Sequence, residues 1–284
     1  MRKIKILSDS TLDIQPDLAK EFDITIIPLS VNFGINEVYQ DGVNITTEEL
    51  YKKVEEKNML PKTVAITPGE IYKIFQQYVD EGYDVLYTGI GGKFSSSHNN
   101  AVQAAKMIEG DHIEVVDSAN LSTGITLSLL KACKARDEGL DIHQVAQKMR
   151  EAVPLVKAQF AVNTMEYLYK GGRCSSIAKL FGTILKIKPI IAVRDGAMSV
   201  LHKPRGKMVI ALDKQLEMLQ EAGSNVDPDA IFVTHSIAPE EAKYLLPKIK
   251  AMHPEARVIE TRANSIVSTH CGPGTIGILW LSKE

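Results

Sequence analysis

The sequence is poor in the features that mark most specialised protein classes. Its three cysteines, Cys133, Cys174 and Cys271, are odd in number, widely spaced and in no CxxC pair, which argues against a disulfide framework and a structural zinc site. Neither sign of charge dominates: a formal net charge of -2 with no long basic block lacks the electrostatic footprint of a general nucleic-acid binder. No stretch approaches the roughly 20 apolar residues needed to span a bilayer. The opening MRKIKILSDST runs straight into a strand-like segment without the apolar core of a signal peptide. A cytoplasmic location is the expectation. The seven histidines show no HxxxH or HExxH spacing, so neither a metal nor a cofactor is expected.

What remains is an ordinary globular composition, 44% hydrophobic and 24% charged over 284 residues, long enough for two domains and a cavity between them. Short apolar runs at Ile4–Leu7, Ile24–Leu29, Val85–Ile90 and Ile113–Val116 alternate with helical spacing over Thr47–Glu56, Gly69–Val79 and Ala101–Ile108. That alternation predicts βαβ units and a largely parallel sheet. Two amphipathic helices are predicted over Leu121–Arg136 and Ile142–Val153, and Pro154 marks a change of course. Beyond it, Arg194-Asp195-Gly196 between Pro189–Val193 and Ala197–Leu201 predicts a tight hairpin, bringing antiparallel pairing into the second half. Helical spacing over Lys207–Ala222 and Pro239–Ala251, with strands at Ile231–Thr234, Arg257–Glu260 and Gly277–Leu281, completes a mixed layer. The fold class is thus α/β: a parallel domain over residues 1–154 and a mixed α/β domain over 155–284, long enough together to close a cavity between them.

Ligands in parallel α/β sheets collect beyond the carboxyl ends of strands. Three hydroxyl-rich loops fit that position: Ser8-Asp9-Ser10-Thr11, Thr63-Val64-Ala65-Ile66-Thr67-Pro68 and Gly91-Gly92-Lys93-Phe94-Ser95-Ser96-Ser97. Such residues also serve as ordinary helix caps, which is the competing reading for Thr67 and Ser97. The third loop has neither the GxxxxGK[ST] nor the GxGxxG spacing of a nucleotide site. Near the end, Thr269-His270-Cys271-Gly272-Pro273-Gly274-Thr275 sets a histidine before two glycines flanking a proline. Cys271 itself reads as a small packing residue.

Ser8-Asp9-Ser10-Thr11, Lys170-Gly171-Gly172-Arg173, Leu185-Lys186-Ile187-Lys188-Pro189-Ile190 and His270-Cys271-Gly272-Pro273-Gly274, in that order, resemble the motifs of the DegV family and cover nearly the whole chain. The resemblance implies a two-lobed protein that holds a long-chain fatty acid. It further implies a lipid-presenting subunit of bacterial fatty-acid kinase, whose partner phosphorylates the bound acid for phospholipid synthesis. The chain itself would then be no enzyme, and its contact with membranes would be transient and at their surface. Carried over by position, the carboxylate site falls on Thr63, Ser95 and His270, with Ser96 and Thr269 beside them. The sequence here reads Thr-Val-Ala-Ile-Thr from Thr63 and Phe-Ser-Ser-Ser around Ser95, departing from the family's Thr-Ser-Gln-Pro-Ser and Leu-Ser-Gly-Thr.

Physical reasoning favours the same set, because a carboxylate leaving water needs converging donors. A long tail needs an apolar tunnel, with candidate walls in Ile26–Phe33, Phe160–Leu168 and Ile177–Leu185. Arg173 and Arg205 are the candidate partner contacts, the latter within the basic group Arg194, His202, Lys203, Arg205 and Lys207. The alternative is a serine hydrolase using Ser95 with His270 as base and Asp9 as orienter, although the GxSxG elbow is missing. A kinase acting alone has no phosphate loop to support it.

Overall fold

The structure is a computed structural model, and it describes residues 2–174 and 187–284. The first half runs β1 (Lys3–Asp9), α1 (Pro16–Glu21), β2 (Ile24–Ile27), β3 (Ser30–Phe33), β4 (Glu37–Gln40), α2 (Thr47–Lys57), β5 (Lys62–Val64), α3 (Pro68–Asp80), β6 (Tyr83–Thr88), α4 (Ser97–Ala105), β7 (Ile113–Val115), α5 (Thr123–Asp137) and α6 (Ile142–Ala152). Four of these strands form a parallel sheet in the order β2-β1-β6-β7. Ile6, Leu7, Val85, Leu86 and Tyr87 are fully buried, as expected of central strands covered on both faces. One face packs on α5 and α6 around Leu129, Val145 and Met149. The other packs on α3, α4 and a small antiparallel sheet around Ile71, Phe75 and Val31.

That small sheet, ordered β4-β3-β5, departs from the sequence reading, which placed Thr63 in a loop and antiparallel pairing only in the second half. Strands of three or four residues with one face in solvent carry too few apolar positions to show a period.

The second half begins just past Pro154 with β8 (Val156–Ala161), followed by α7 (Glu166–Gly171), β9 (Ile190–Arg194), β10 (Ala197–His202), α8 (Met208–Ala222), β11 (Val226–Ser236), α9 (Pro239–Met252), β12 (Val258–Arg262), α10 (Ser265–Cys271) and β13 (Thr275–Ser282). Its sheet has the order β10-β9-β8-β13-β11-β12 and is antiparallel except for β11–β12. The Asp195-Gly196 turn takes positive φ at both residues, as the hairpin requires. Helices α8 and α9 cover the outer face around Leu216, Leu245 and Trp280. The inner face faces the first half across Phe160, Val193, Phe232 and Leu279.

Helix α5 is not amphipathic as its sequence suggested. It is wedged between the two sheets, with Thr123 through Leu129 buried without a break. Its hydroxyls are satisfied locally: Thr126 donates to Leu12 O at 2.8 Å, Ser128 to Ile125 O at 3.0 Å, and Thr123 shares a bond of 2.6 Å with Thr234. A polar side chain so enclosed costs little once it is paired. The wedge therefore fixes how the two sheets face each other.

Candidate functional site

Helix α10 is about two turns long, and every part of it is fastened. Its Asn264 N-cap amide donates to Asp13 Oδ1 at 2.8 Å, and the Ile266 amide donates to Asp41 Oδ1 at 3.2 Å. Burial raises the Asp41 carboxyl to about 6 and holds Asp13 well above the usual carboxylate range. From α2, Tyr51 bonds Ser236 at 2.6 Å and donates to Ser268 O at 3.1 Å. His270 is the last residue but one of the helix, and its ring lies against α7.

The two glycine motifs explain each other there. A Cβ on Gly171 would come within 2.6 Å of His270 Nδ1, and a Cβ on Gly272, at φ 81°, within 2.7 Å of the Tyr167 ring. Only glycine permits α7 and α10 to dock so closely. His270 Nε2 lies 3.0 Å from Thr63 Oγ1, and its Nδ1 is buried with no partner among the described residues. Thr63 reaches it because β5 pairs Thr63 with Val31, on the inward face of the small sheet. Burial first, and the nearby Arg173 charge second, hold the His270 ring down at about 4. It is neutral at neutral pH.

Ser95 enters from the opposite wall. The loop before α4 is drawn in by Gly91, whose amide donates to Asn120 O at 2.8 Å, and by Gly92, whose amide donates to Asp117 Oδ1 at 3.1 Å. A Cβ on Gly91 would meet backbone at 2.9 Å, so this glycine serves close packing. Ser95 Oγ accepts from the Ser97 amide at 3.3 Å and lies 3.0 Å from Ser97 Oγ. Ser95 thus takes up the first amide of α4, while Ser96, at the N-cap position, makes no cap bond with its side chain and is exposed. Lys93 donates to Asp195 O at 2.7 Å, tying this loop to the hairpin of the other half.

Thr63, Ser95, Ser96, Arg173 and His270 line one open cavity of about 480 Å³. Behind it lies a chamber of about 40 Å³ whose walls include His270 and Arg173 together with Phe94, Leu121, Leu168 and Met198. A further chamber of about 40 Å³ shares Leu121, Phe160, Val267 and Cys271 with the first and extends to Ala158, Gly277 and Leu279. Since a single water needs about 10–15 Å³ by such a measure, each chamber is a narrow passage. Polar mouth, first chamber and second chamber therefore follow one another along the seam between the sheets. The polar residues of the inner chamber turn their hydroxyls elsewhere: Ser122 to Asp13 Oδ2 at 2.6 Å, Thr234 to Thr261 at 2.9 Å, Thr275 to Cys271 O at 2.8 Å.

Other expectations need adjustment. Thr269 is not at the mouth: its hydroxyl donates back to Ser265 O at 2.8 Å and it is buried, because a helix turns adjacent residues about 100° apart. Asp9 accepts from Thr11 and from the Ile90 amide at 3.1 Å, while Ser95 and His270 have the other partners given above; no Asp9–His270–Ser95 relay is assembled. Of Ser8-Asp9-Ser10-Thr11, Thr11 lines the mouth. Of the candidate walls, Leu29, Phe160 and Leu168 touch the cavities, the rest of Ile26–Phe33 belongs largely to the small-sheet core, and 177–185 lies outside the described residues, as do the first two positions of the Leu185–Ile190 motif. Arg173 is exposed at the mouth, whereas Arg205 is exposed beyond the hairpin, bridging in backbone to Ile187. Cys271 is a packed wall residue, its thiol pushed up to about 12 by burial. Sequence reasoning missed Ile266 and Val267 because α10 was not read as a helix. The signal was Asn264 as a cap, with Ile266 four residues before His270.

Among the described residues no helix is long and apolar enough to cross a membrane, and no group of three acidic, histidine or cysteine side chains is placed to hold a metal.

A family model described as "Uncharacterised protein, DegV family" matches residues 3–283. The chain belongs to the DegV family. It is 32% identical to a DegV domain-containing protein of Clostridium acetobutylicum and 30% identical to one of Caldanaerobacter subterraneus, with all of each chain covered. Among solved DegV structures it resembles a fatty-acid-binding protein from Thermus thermophilus (26% identity, TM-score 0.91, 99% and 100% of the two chains). It also resembles DegV of Bacillus subtilis, described as a fatty acid binding protein (26%, 0.88, all of both chains). A stearic acid-binding protein from Eubacterium ventriosum is similar as well (25%, 0.87, 99% and 98%). The DegV fold is thus that of the chain, a parallel sheet beside a mixed one.

Proposed function

We propose that this DegV protein binds one long-chain fatty acid in the seam and presents its carboxylate to a separate ATP-dependent fatty-acid kinase. The observation that carries the reading is the succession of spaces: a polar mouth with His270 and Arg173 at its inner edge, then two apolar chambers behind them. The solved DegV relatives with bound or named fatty acids support the ligand class.

The chemistry fits a carboxylate at the mouth. With a neutral His270 donating its Nε2 proton to Thr63, the threonine hydroxyl has its own proton to give. Ser95 is left in the same position when Ser97 donates to it. The Arg173 guanidinium adds attraction, and Ser96 stands at the outer rim. Hydrogen bonds to an ionised acceptor are worth about 1.5–3 kcal/mol each, and each buried methylene about 0.8 kcal/mol, so the tail dominates affinity and the mouth dominates orientation.

In this reading the chain does no bond-making itself. The exposed carboxylate oxygen attacks the terminal phosphorus of ATP in the partner's site, ADP leaves, and the acyl-phosphate goes to phospholipid synthesis in the cytoplasm. Arg173 at the mouth and Arg205 beyond the hairpin would meet an acidic face of that kinase. Contact with a membrane surface during loading would be transient.

Organic extraction of the purified protein followed by mass spectrometry should release fatty acid, and a delipidated sample should take up added acid. His270→Ala should keep lipid uptake but reduce kinase-dependent acyl-phosphate formation by at least about tenfold, because Thr63 loses the donor that leaves its own proton free to orient the carboxylate. Absence of lipid together with no uptake would refute the binding role, and unchanged turnover in the variant would remove His270 from the site.

A further inference from the structure

Across the seam from the mouth lies a second open cleft of about 500 Å³, bounded by Thr46–Glu49 at the start of α2, by Arg262 and by the turn at Ile237. It meets the innermost apolar chamber at two residues, His235 and Ala263, which line both spaces. They are only 2% and 4% exposed. The His235 ring lies on the outer face of its strand, opposite Ile276, so His235 meets the chamber with its backbone, and the Ala263 methyl group stands between the end of the tunnel and this cleft.

Both are held in place. His235 Nδ1 accepts from the Ala238 amide at 3.1 Å, which puts its proton on Nε2, and Nε2 donates to Glu260 at 3.1 Å. The Ala263 amide donates to His235 O at 2.9 Å, and its carbonyl accepts from Thr47 at 2.8 Å and from Ser268 at 3.1 Å. Three other wall positions, Gly277, Ser122 and Thr234, are fixed as well. A Cβ on Gly277 would come within 2.6 Å of Gln159 O, and Ser122 and Thr234 are locked into the hydroxyl pairs described above.

We propose that Ala263 forms the end-stop that sets the longest acyl chain this protein accepts, with the cleft behind it as the space a longer chain enters when the stop is cut back. The inference rests on the fatty-acid reading. It assigns chain-length selection to a position remote from the carboxylate.

The test uses the full-length, delipidated protein and a series of saturated acids from dodecanoic to tetracosanoic acid, displacing a fluorescent fatty acid, with thermal melts to verify folding. Ala263→Leu should weaken binding of the longest acids that the parent accepts by at least about tenfold, the loss expected when two methylenes are kept in water. It should leave the shortest within about twofold, as their tails end before the stop. Ala263→Gly should extend the range to longer acids, and if the leucine variant melts early, the glycine profile alone decides. An unchanged order of affinities in the folded variants overturns the end-stop. If the parent binds none of the acids, the fatty-acid reading falls and the end-stop with it.

Discussion

The mouth and the tunnel are built on opposite principles although they share a helix. Mouth residues come as short motifs whose backbone is specialised: glycines at 171 and 272 admit the His270 ring and the Tyr167 ring, and Gly91 draws in the loop that carries Ser95. Tunnel residues come singly from β8, β13, α10, the segment before α5 and the loop before α4, and nothing in their local sequence distinguishes them from other core positions. A polar site needs particular atoms at particular angles, so it constrains the chain locally. An apolar passage needs only unfilled volume between elements, which is a property of how they pack.

The sharpest way to break this contrast is at Phe160, which lines both chambers and also belongs to the core between the sheets. If the tunnel is made of core, Phe160→Ala should cost about 3–5 kcal/mol in urea denaturation as well as altering lipid uptake. A loss confined to lipid uptake, with the denaturation midpoint unmoved, would mean that the passage is structurally separate from the core.

A smaller effect should come from the buried carboxylate that holds the start of α10, the helix common to both regions. Asp41 has a folded value of about 6 against an ordinary 3.8, so the folded state binds the extra proton between those values. Its favourable contribution is complete below pH 3.8 and lost as pH rises through about 6, at most about 3 kcal/mol for a shift of this size. Stability of the parent relative to Asp41→Asn should therefore fall between pH 4 and 6 in denaturant titrations at fixed salt. A parallel pair of curves would show that Asp41 does not gain a proton in that range on folding.

The smallest effects distinguish neighbours within the mouth. Thr63→Val should weaken fatty-acid binding by about tenfold, the worth of one hydrogen bond to a carboxylate, with little change in stability. Thr269→Val should do the reverse, removing a bond to Ser265 O worth about 1 kcal/mol while leaving lipid titrations unchanged. Equal effects of the two on lipid affinity would place Thr269 at the ligand after all.

Much of this was legible in the chain. Alternating apolar runs and helical periods gave the parallel sheet, because strands buried on both faces must be apolar throughout, and Asp195-Gly196 gave the hairpin, because its turn demands positive φ. Thr63, Ser95 and His270 were named together only through the resemblance to the DegV family, and the structure sets Thr63 3.0 Å from His270 with Ser95 on the same cavity. Short strands such as Lys62–Val64 escaped, as did the brief helix Ser265–Cys271 and the all-round burial of Thr123–Leu129. In each, tertiary contacts supply what local periodicity lacks.

By itself the sequence determined the residue chemistry available at the mouth and the order of the main layers, since hydroxyls, glycines and apolar spacing act over a few residues. Only the tertiary structure decided that a passage exists, where it turns and how thin the wall at Ala263 is. Those depend on the distances left between elements far apart in the chain, and packing rather than local preference sets such distances.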